Sequence, residues 1–291
     1  MQQDYLIRAT ALNGQVRAFA ANMTGILEEL RARHHTTPVA TAALGRTLTA
    51  GAMMGAMLKG EEKLTIRVKG DGPIGQIVVD ANASGEVRGY VDDPSVELPL
   101  NAVGKLDVSG AVGREGFIYI IKDLGLKEPY SGSTPIVSGE LGEDFTYYFA
   151  KSEQTPSAVA LGVLVDTDRT VRCSGGFIIQ LLPGLSDDEI GELEARLSGL
   201  PPVTTLMDEG KSVEEILEVL LDDVVIRDRM ELKFRCKCSQ ERVEQTLLSL
   251  GRDEIQGLLE DQGEAEVVCH FCNEKYHFTG EELQGLVEQL S

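Results

Sequence analysis

The sequence has no tryptophan and no long hydrophobic run. Among the early helices, the longest uncharged apolar stretch is TLTAGAMMGAML (47–58), and its 12 residues are too few to span a bilayer. The N-terminal segment MQQDYLIRATALNG holds an aspartate and an arginine where a secretory signal would be apolar. These absences predict a cytoplasmic protein without membrane partners, in which disulfides are not the resting state of cysteine.

Familiar catalytic motifs are missing as well. The sequence contains no P-loop, no nucleophile elbow and no HExxH zinc motif. Gly70-x-Gly72-x-x-Gly75 has the spacing of a dinucleotide loop, but a strand-like QIVVD follows it where that loop needs a helix. A hairpin turn is therefore predicted there, and His34 and His35 are interpreted as helix-end residues. The chain is predicted not to be an enzyme.

Basic residues are scarce, with 27 Lys and Arg against 47 Asp and Glu and a net charge of −20. Residues 181–291 carry 26 acidic and 10 basic residues, a net charge of −16, and the first 180 residues carry −4. Such an acidic segment repels phosphate backbones, so no nucleic-acid partner is expected. The charge is interpreted either as a solvated surface or as a means of keeping a conditionally unfolded region soluble.

Blocks of strands and helices alternate through the first part of the chain. YLIRATAL and QVRAFAAN alternate as strands around the turn signal Asn13-Gly14, which predicts a hairpin. Thr24 is predicted to cap one helix, and Thr37-Pro38 to open a second that runs to about Lys59. Further strands are predicted in KLTIRVKG, IGQIVVDAN, GEVRGYVDD, GFIYIIKDLG, AVALGVLVD and TVRCSGGFIIQLL, and a helix in EDFTYYFAKSEQ.

This pattern predicts an α+β fold with a mostly antiparallel sheet and packed helices. Three domains are expected: an N-terminal core (1–183), an acidic helical linker (184–230) and a small C-terminal zinc-binding domain (231–291). The linker is interpreted as short helices broken at Pro201-Pro202. Its second helix has an apolar stripe that must be buried against a partner. The stripe consists of Val213, Ile216, Leu217, Leu220, Leu221 and Val224.

Four of the five cysteines lie close to the C-terminus as two short pairs. The pairs are Cys236-x-Cys238 and, 30 residues further on, Cys269-x-x-Cys272. Four thiolates complete a tetrahedral site of the kind that structural Zn²⁺ prefers, and they leave no open position for catalysis. Basic neighbours lower the cost of the resulting negative charge, namely Arg235, Lys237 and Lys275, and His270 or His277 is a less fitting replacement ligand. The remaining cysteine, Cys173, is interpreted as a small buried apolar residue.

FRCKCS and CHFCNEKYHF, at this spacing and at the end of a chain of this length, resemble the signature of the redox-regulated 33-kDa heat-shock chaperonin family of bacteria. The preceding α+β block and the strands around GDGPIGQIVVDAN are similar to that family as well. Cys173 is not part of the family's four-cysteine pattern.

The resemblance implies a holdase chaperone that is inactive when reduced and active when oxidised. In the reduced state Cys236, Cys238, Cys269 and Cys272 would hold one Zn²⁺ per chain. Oxidants would convert them to the disulfides Cys236–Cys238 and Cys269–Cys272, release zinc and unfold the C-terminal region. The linker helices would then lose their packing partner and expose the stripe as a client-binding surface under oxidative stress. Unfolded client proteins and, in the oxidised state, a second copy in a homodimer are the implied partners.

Two alternatives of other classes remain open from the residues. A thiol–disulfide oxidoreductase would use Cys269-x-x-Cys272 as a catalytic pair, but such pairs favour a helix N-terminus after a strand. Here the pair lies between the strand-like runs VV and YHF, as in a zinc knuckle. A zinc-ribbon interaction module would also explain the four cysteines.

Overall fold

The structure is a computed structural model that describes residues 3–290. The chain divides between Phe234 and Arg235 into two compact units. The elements of the first unit are β1 (Tyr5–Ala11), a 3-10 turn (Leu12–Gly14), β2 (Val16–Asn22), α1 (Thr24–His34), α2 (Pro38–Gly55), β3 (Lys63–Lys69), β4 (Gln76–Asn82), β5 (Glu86–Val91), α3 (Val108–Val112), β6 (Phe117–Asp123), β7 (Tyr130–Pro135), α4 (Gly142–Lys151), β8 (Ser157–Val165), β9 (Val171–Leu181), α5 (Asp187–Gly199), α6 (Val203–Asp208), α7 (Val213–Leu220), β10 (Val225–Glu231) and β11 (Lys233–Phe234). The elements of the second unit are α8 (Gln240–Leu250), α9 (Arg252–Gln262), β12 (Ala265–Val268), β13 (Lys275–Phe278) and α10 (Gly280–Gln289).

Two sheets organise the first unit. One has five strands in the order β10-β1-β2-β9-β8, and all of its neighbours are antiparallel. The other has six strands in the order β11-β5-β4-β3-β6-β7, and only the short β11–β5 pair is parallel. The prediction of an α+β fold with mostly antiparallel sheets is therefore confirmed.

The helix α2 packs against strands of both sheets and is buried along almost its whole length. Glycines allow this close approach. A Cβ atom on Gly45 would lie 2.6 Å from Val163 Cγ2, and one on Gly51 would lie 2.7 Å from Val79 Cγ1. The many small residues of α2 therefore position the main hydrophobic core between the two sheets.

The predicted hairpin of β1 and β2 is confirmed, with Ala11 opposite Val16 beside the turn. The helix α2 begins at Pro38 as predicted, and the Thr37 side chain caps it by accepting a hydrogen bond from the N–H of Ala40. The helix ends at Gly55 rather than near Lys59.

The prediction that Thr24 caps α1 is wrong. Thr24 is already the first residue of that helix, and its hydroxyl donates to Asn22 Oδ1 over 2.8 Å. The carboxylate of Asp4 accepts from the N–H groups of Gly25 and Ile26 instead. The cap thus comes from a residue distant in sequence, which local spacing cannot indicate.

The three glycines with dinucleotide-loop spacing lie between β3 and β4, so the predicted hairpin turn is confirmed. A Cβ atom on Gly70 would lie 2.0 Å from the carbonyl oxygen of Val112, and one on Gly72 would lie 2.3 Å from that of Ala111. The glycines are therefore needed because the backbone at the end of α3 packs directly against this turn.

Residues 184–230 lie within the first compact unit and form α5, α6, α7 and most of β10. The wholly helical interpretation of this segment is wrong, because α7 ends at Leu220 and residues 225–231 pair with β1. Within residues 3–290, no helix is long and apolar enough to cross a membrane.

Candidate metal centre and covered sheet face

The Cys269-x-x-Cys272 pair lies in the turn between β12 and β13, as the strand-like flanks predict. The N–H of Cys269 donates to the carbonyl of Glu274 over 2.9 Å, and the N–H of Asn273 donates to the carbonyl of Cys269 over 2.8 Å. Asn273 adopts a left-handed backbone with φ of 59°, which asparagine tolerates better than most residues. This tight turn directs both sulfurs to one point.

The second pair, just before α8, brings its sulfurs to the same point. Cys236 Sγ lies 3.4 Å from Cys238 Sγ and 3.6 Å from Cys269 Sγ, and Cys238 Sγ lies 3.3 Å from Cys272 Sγ. All four sulfurs lie within 4.8 Å of one another. The structure therefore assembles the predicted four-cysteine set, and the two histidines proposed as replacements are not in it.

The sulfurs fit a zinc ion. Four Zn–S bonds of about 2.3 Å in a tetrahedron would separate neighbouring sulfurs by about 3.8 Å, close to the observed distances. The chemistry of the donor set agrees, because thiolate is the ligand that structural zinc sites use most.

The pKa values of Cys236 and Cys272 are shifted in opposite directions. Burial acts to raise the pKa of Cys236, but hydrogen bonds from the Cys238 backbone and from the other three cysteines outweigh it and lower this pKa to about 7. Burial, followed by the neighbouring sulfurs, raises the pKa of Cys272. Four thiolates this close together would repel one another, and a cation among them would compensate their charge.

Two side chains near the sulfurs differ from expectation. Lys275 pairs its ammonium with Glu266 over 3.0 Å, so its charge is already compensated. Tyr276, which the sequence analysis did not single out, hydrogen-bonds to Cys238, and this contact is the main cause of its raised pKa. Aromatic residues next to a knuckle turn are the only sequence signal for that contact.

The second unit has little else to hold it together. Its described hydrophobic core is one small cluster: Val243, Leu247, Ile255, Ala265, Phe278, Leu283, Leu286 and Val287. Domains of this size are marginal without a metal or disulfides. The state of the four cysteines is therefore expected to decide whether this unit is folded.

The predicted apolar stripe is buried on the five-stranded sheet. Val213, Ile216, Leu217 and Leu220 of α7 and the following Leu221 are each 3% exposed or less, and Val224 packs at the margin. They share one cluster with a side of the sheet that we call the covered face. The covered face consists of Tyr5, Ile7, Ala9, Ala11, Val16, Ala18, Ala20, Phe177 and Ile179. The packing partner of the stripe is therefore this sheet, and the expectation that the zinc-binding domain is that partner is wrong.

Small residues make the covered face flat enough to receive helices. A Cβ atom on Gly162 of β8 would lie 2.5 Å from Thr204 Cγ2 and 2.7 Å from Val203 Cγ1, both in α6. Cys173 lies below the same helix, where its sulfur is 3.6 Å from the carbonyl of Thr204. Burial raises the pKa of this thiol to about 11, which agrees with its interpretation as a buried apolar residue.

The family described as Hsp33 protein matches residues 4–279. A 33 kDa chaperonin of Brevibacillus brevis is 57% identical over 288 residues, which cover 99% of each chain. A 33 kDa chaperonin of Geobacillus kaustophilus is 55% identical over 285 residues, covering 97% of each chain.

A solved structure shows the same fold. The crystal structure of a 33 kDa chaperonin, a heat shock protein 33 homologue from Thermotoga maritima, matches with a TM-score of 0.92 and 36% sequence identity, and the match covers 99% of both chains. The four-cysteine pattern, the fold and these full-length matches agree, and the chain belongs to the Hsp33 family of 33 kDa chaperonins.

Proposed function

We propose that this chain is a cytoplasmic holdase chaperone, not an enzyme, whose client-binding surface is covered when its cysteines are reduced. The family and the names of the full-length relatives support a chaperone that binds unfolded proteins. The observation that carries the regulated form of this function is the packing of the α7 stripe on the covered face. Each of the two apolar surfaces hides the other, so removing the helices exposes both at once.

In the reduced state Cys236, Cys238, Cys269 and Cys272 would hold one Zn²⁺. A bound zinc ion would supply folding free energy to the second unit, whose hydrophobic core is small. Four sulfurs would fill the tetrahedral coordination of zinc and leave no open position. Among the described residues, no histidine or carboxylate joins them.

Oxidation would pair the sulfurs as Cys236–Cys238 and Cys269–Cys272. Each disulfide forms when two thiols give two electrons and two protons to one peroxide molecule, which becomes two molecules of water. The distances between sulfurs do not select this pairing, since cross pairs are as close as Cys236 and Cys238. The pairing rests on the family resemblance. Two disulfides would use up all four ligands, so the second unit would lose its metal-dependent order.

The connection to the covered face would run along the chain. In chain order, α7 is followed by β10, then by β11, and β11 ends at Phe234, two residues before Cys236. Loss of order at Cys236 would therefore reach β11 first and then β10, which holds the end of the linker against β1. The helices α5 to α7 would leave the sheet, and the acidic side chains around the exposed apolar surface would keep the complex with a client soluble.

The test compares reduced and peroxide-treated protein side by side. Zinc content and light scattering from a heat-aggregating client would be measured on the same samples, with hydrogen exchange to follow residues 184–291. We expect zinc loss, loss of protection and suppression of client aggregation to occur together. Oxidised protein that stays protected throughout 184–291 and still holds clients would contradict this mechanism.

The oxidoreductase alternative receives no support from the geometry. Cys269 and Cys272 lie in a strand-to-strand turn rather than at the start of a helix, and Cys272 is buried with a raised pKa. A catalytic pair needs an exposed thiolate of low pKa as its nucleophile. Turnover in a disulfide-reduction assay would show that this argument is wrong.

A further inference from the structure

The six-stranded sheet has a second face that the chain leaves open. Side chains of β6 alternate, with Ile118 and Ile120 fully buried in the main hydrophobic core and the residues between and beside them turned outward. Phe117 is 46% exposed and Ile121 is 38% exposed, so no described element of the first unit covers these side chains. We call the outward side of β3, β6 and β7 the open face.

Two rows of side chains cross the open face. In one row Arg67 of β3 lies opposite Tyr119, which lies opposite Ser133 of β7. In the next row Lys69 lies opposite Phe117. The rings of Phe117 and Tyr119 stand side by side with centroids 5.9 Å apart and an angle of 39° between them. Each ring therefore has a cation on the neighbouring strand.

These two cations differ from the others on the same sheet face. Cations nearer the opposite end are neutralised by carboxylates, Lys63 by Asp123 over 3.3 Å and Arg88 by Asp80 over 2.7 Å. Within residues 3–290, neither Arg67 nor Lys69 forms an ion pair, and Arg67 Nε donates only to the neutral amide of Gln76 over 2.6 Å. The open face therefore offers positive charge next to exposed rings.

We propose that the open face binds a single-stranded nucleic acid. Bases stack on exposed aromatic rings of antiparallel sheets, and cations beside the rings contact the phosphates. Phe117 and Tyr119 are two positions apart, as are Lys69 and Arg67, so each pair repeats at about 6.8 Å along its strand. The two rings and the two cations therefore have the same spacing along their strands, as the bases and phosphates have along an extended nucleotide chain. The hydroxyl of Ser133 adds a polar group beside the Tyr119 ring.

The net charge of the protein does not oppose this binding at short range. The expectation of no nucleic-acid partner rests on residues 181–291, which carry −16, and the open face belongs to the first 180 residues, which carry −4. At physiological salt, charges more than about 8 Å away are largely screened. Arg67 and Lys69 lie directly opposite the two rings on the neighbouring strand, well within this distance.

The experiment measures the fluorescence anisotropy of labelled oligouridylate, and of labelled oligothymidylate in a parallel arm, with reduced full-length protein. Tyr119→Ala should weaken binding by about five-fold or more, the effect of losing one stacked base, while Tyr119→Phe retains it. Lys69→Gln should reduce the slope of log affinity against log salt by about 0.7, the value for one phosphate contact on a single strand.

Two controls share the strand or the face but not the proposed contacts. Ile121→Ala removes an exposed apolar side chain of β6 that is not aromatic, and Lys63→Gln removes a cation that Asp123 already neutralises. Both should leave the affinity and the salt slope unchanged. Thermal unfolding of each variant shows that the fold is retained.

Three results would overturn the proposal. Wild-type protein that leaves the anisotropy of both oligonucleotides unchanged at low salt would remove it directly. Equal competition by inorganic polyphosphate, which has charges but no bases, would show that the rings are not used. Equal competition by a polyglutamate peptide would show that the open face accepts an acidic polypeptide instead.

Discussion

The hydroxyl of Tyr5 donates a hydrogen bond to Glu214 Oε2 over 2.7 Å and so joins β1 to the first turn of α7. Arg229 of β10 lies over the Tyr5 ring at 3.8 Å and reaches Glu214 Oε1 over 3.4 Å. The strands β1 and β10 and the helix α7 therefore meet at this polar contact. The Tyr5–Glu214 hydrogen bond therefore helps to fix the position of α7 on the sheet.

Replacing Tyr5 by phenylalanine should loosen α7 without unfolding the first unit. The variant keeps the buried ring and loses one hydrogen bond to a charged group, which contributes about 1.5 to 3 kcal/mol. We expect faster hydrogen exchange for amides of α7 in the reduced protein and unchanged exchange in α2. Equal protection of α7 in both proteins would show that the apolar contacts alone hold the helix.

Alkaline pH should act on the same contact. Burial, with the hydrogen bond and charge of Glu214, raises the pKa of Tyr5 from 10.0 to about 12. The packed state therefore holds the phenolic proton more tightly than the open state, so this stabilisation is complete below pH 10.0 and is lost as the pH rises through about 12. The difference in phenolate absorbance between wild type and Tyr5→Phe should titrate near 12, and a midpoint at the ordinary value would contradict the buried contact.

Loss of one sulfur should remove the metal and the order of the second unit together. Cys236→Ser leaves three thiolates, and the reduced variant should contain far less than one zinc per chain by elemental analysis. Cys173→Ser is the matched control, because Cys173 lies in β9 under α6 and contributes nothing to the cluster. Full zinc occupancy in Cys236→Ser would refute the four-cysteine site.

The four-cysteine cluster was predictable from the sequence, but the packing of residues 184–230 on the five-stranded sheet was not. The short spacings Cys236-x-Cys238 and Cys269-x-x-Cys272 bring the two sulfurs of each pair together locally. The site is complete once the β12–β13 hairpin holds the second pair and the first pair lies next to it. The stripe spacing of α7 predicts burial, but periodicity carries no information on the partner, which is a sheet formed by residues far away in sequence. β10 escaped prediction because four of its seven side chains are charged and six are exposed, so its sequence lacks the alternation of a half-buried strand, and pairing with the edge of β1 makes it a strand.

A single methyl group at Gly162 should shift the linker off the sheet. In Gly162→Ala the new Cβ would meet Val203 and Thr204 of α6 at distances no real contact shows, and such overpacking costs about 1 to 3 kcal/mol. We expect weaker protection of α6 and partial chaperone activity in reduced, zinc-loaded protein. Gly191→Ala in α5 is the control, since a Cβ atom there meets nothing within 4 Å. A reduced Gly162→Ala protein that is as inactive as wild type would indicate that α6 is not part of the cover.

Charge placed in the stripe should activate the protein without oxidation. Leu217 is fully buried between α7 and the covered face, and burying an unpaired carboxylate costs several kcal/mol, comparable with the stability of a whole small domain. Reduced Leu217→Glu should therefore suppress client aggregation in light scattering, keep its zinc and lose hydrogen-exchange protection in α7. Val219→Glu introduces the same charge on the same helix at a position that is 52% exposed, and it should behave as wild type. If Leu217→Glu exposes α7 and still fails to hold clients, while oxidised wild type holds them, the client-binding surface lies outside the covered face and the stripe.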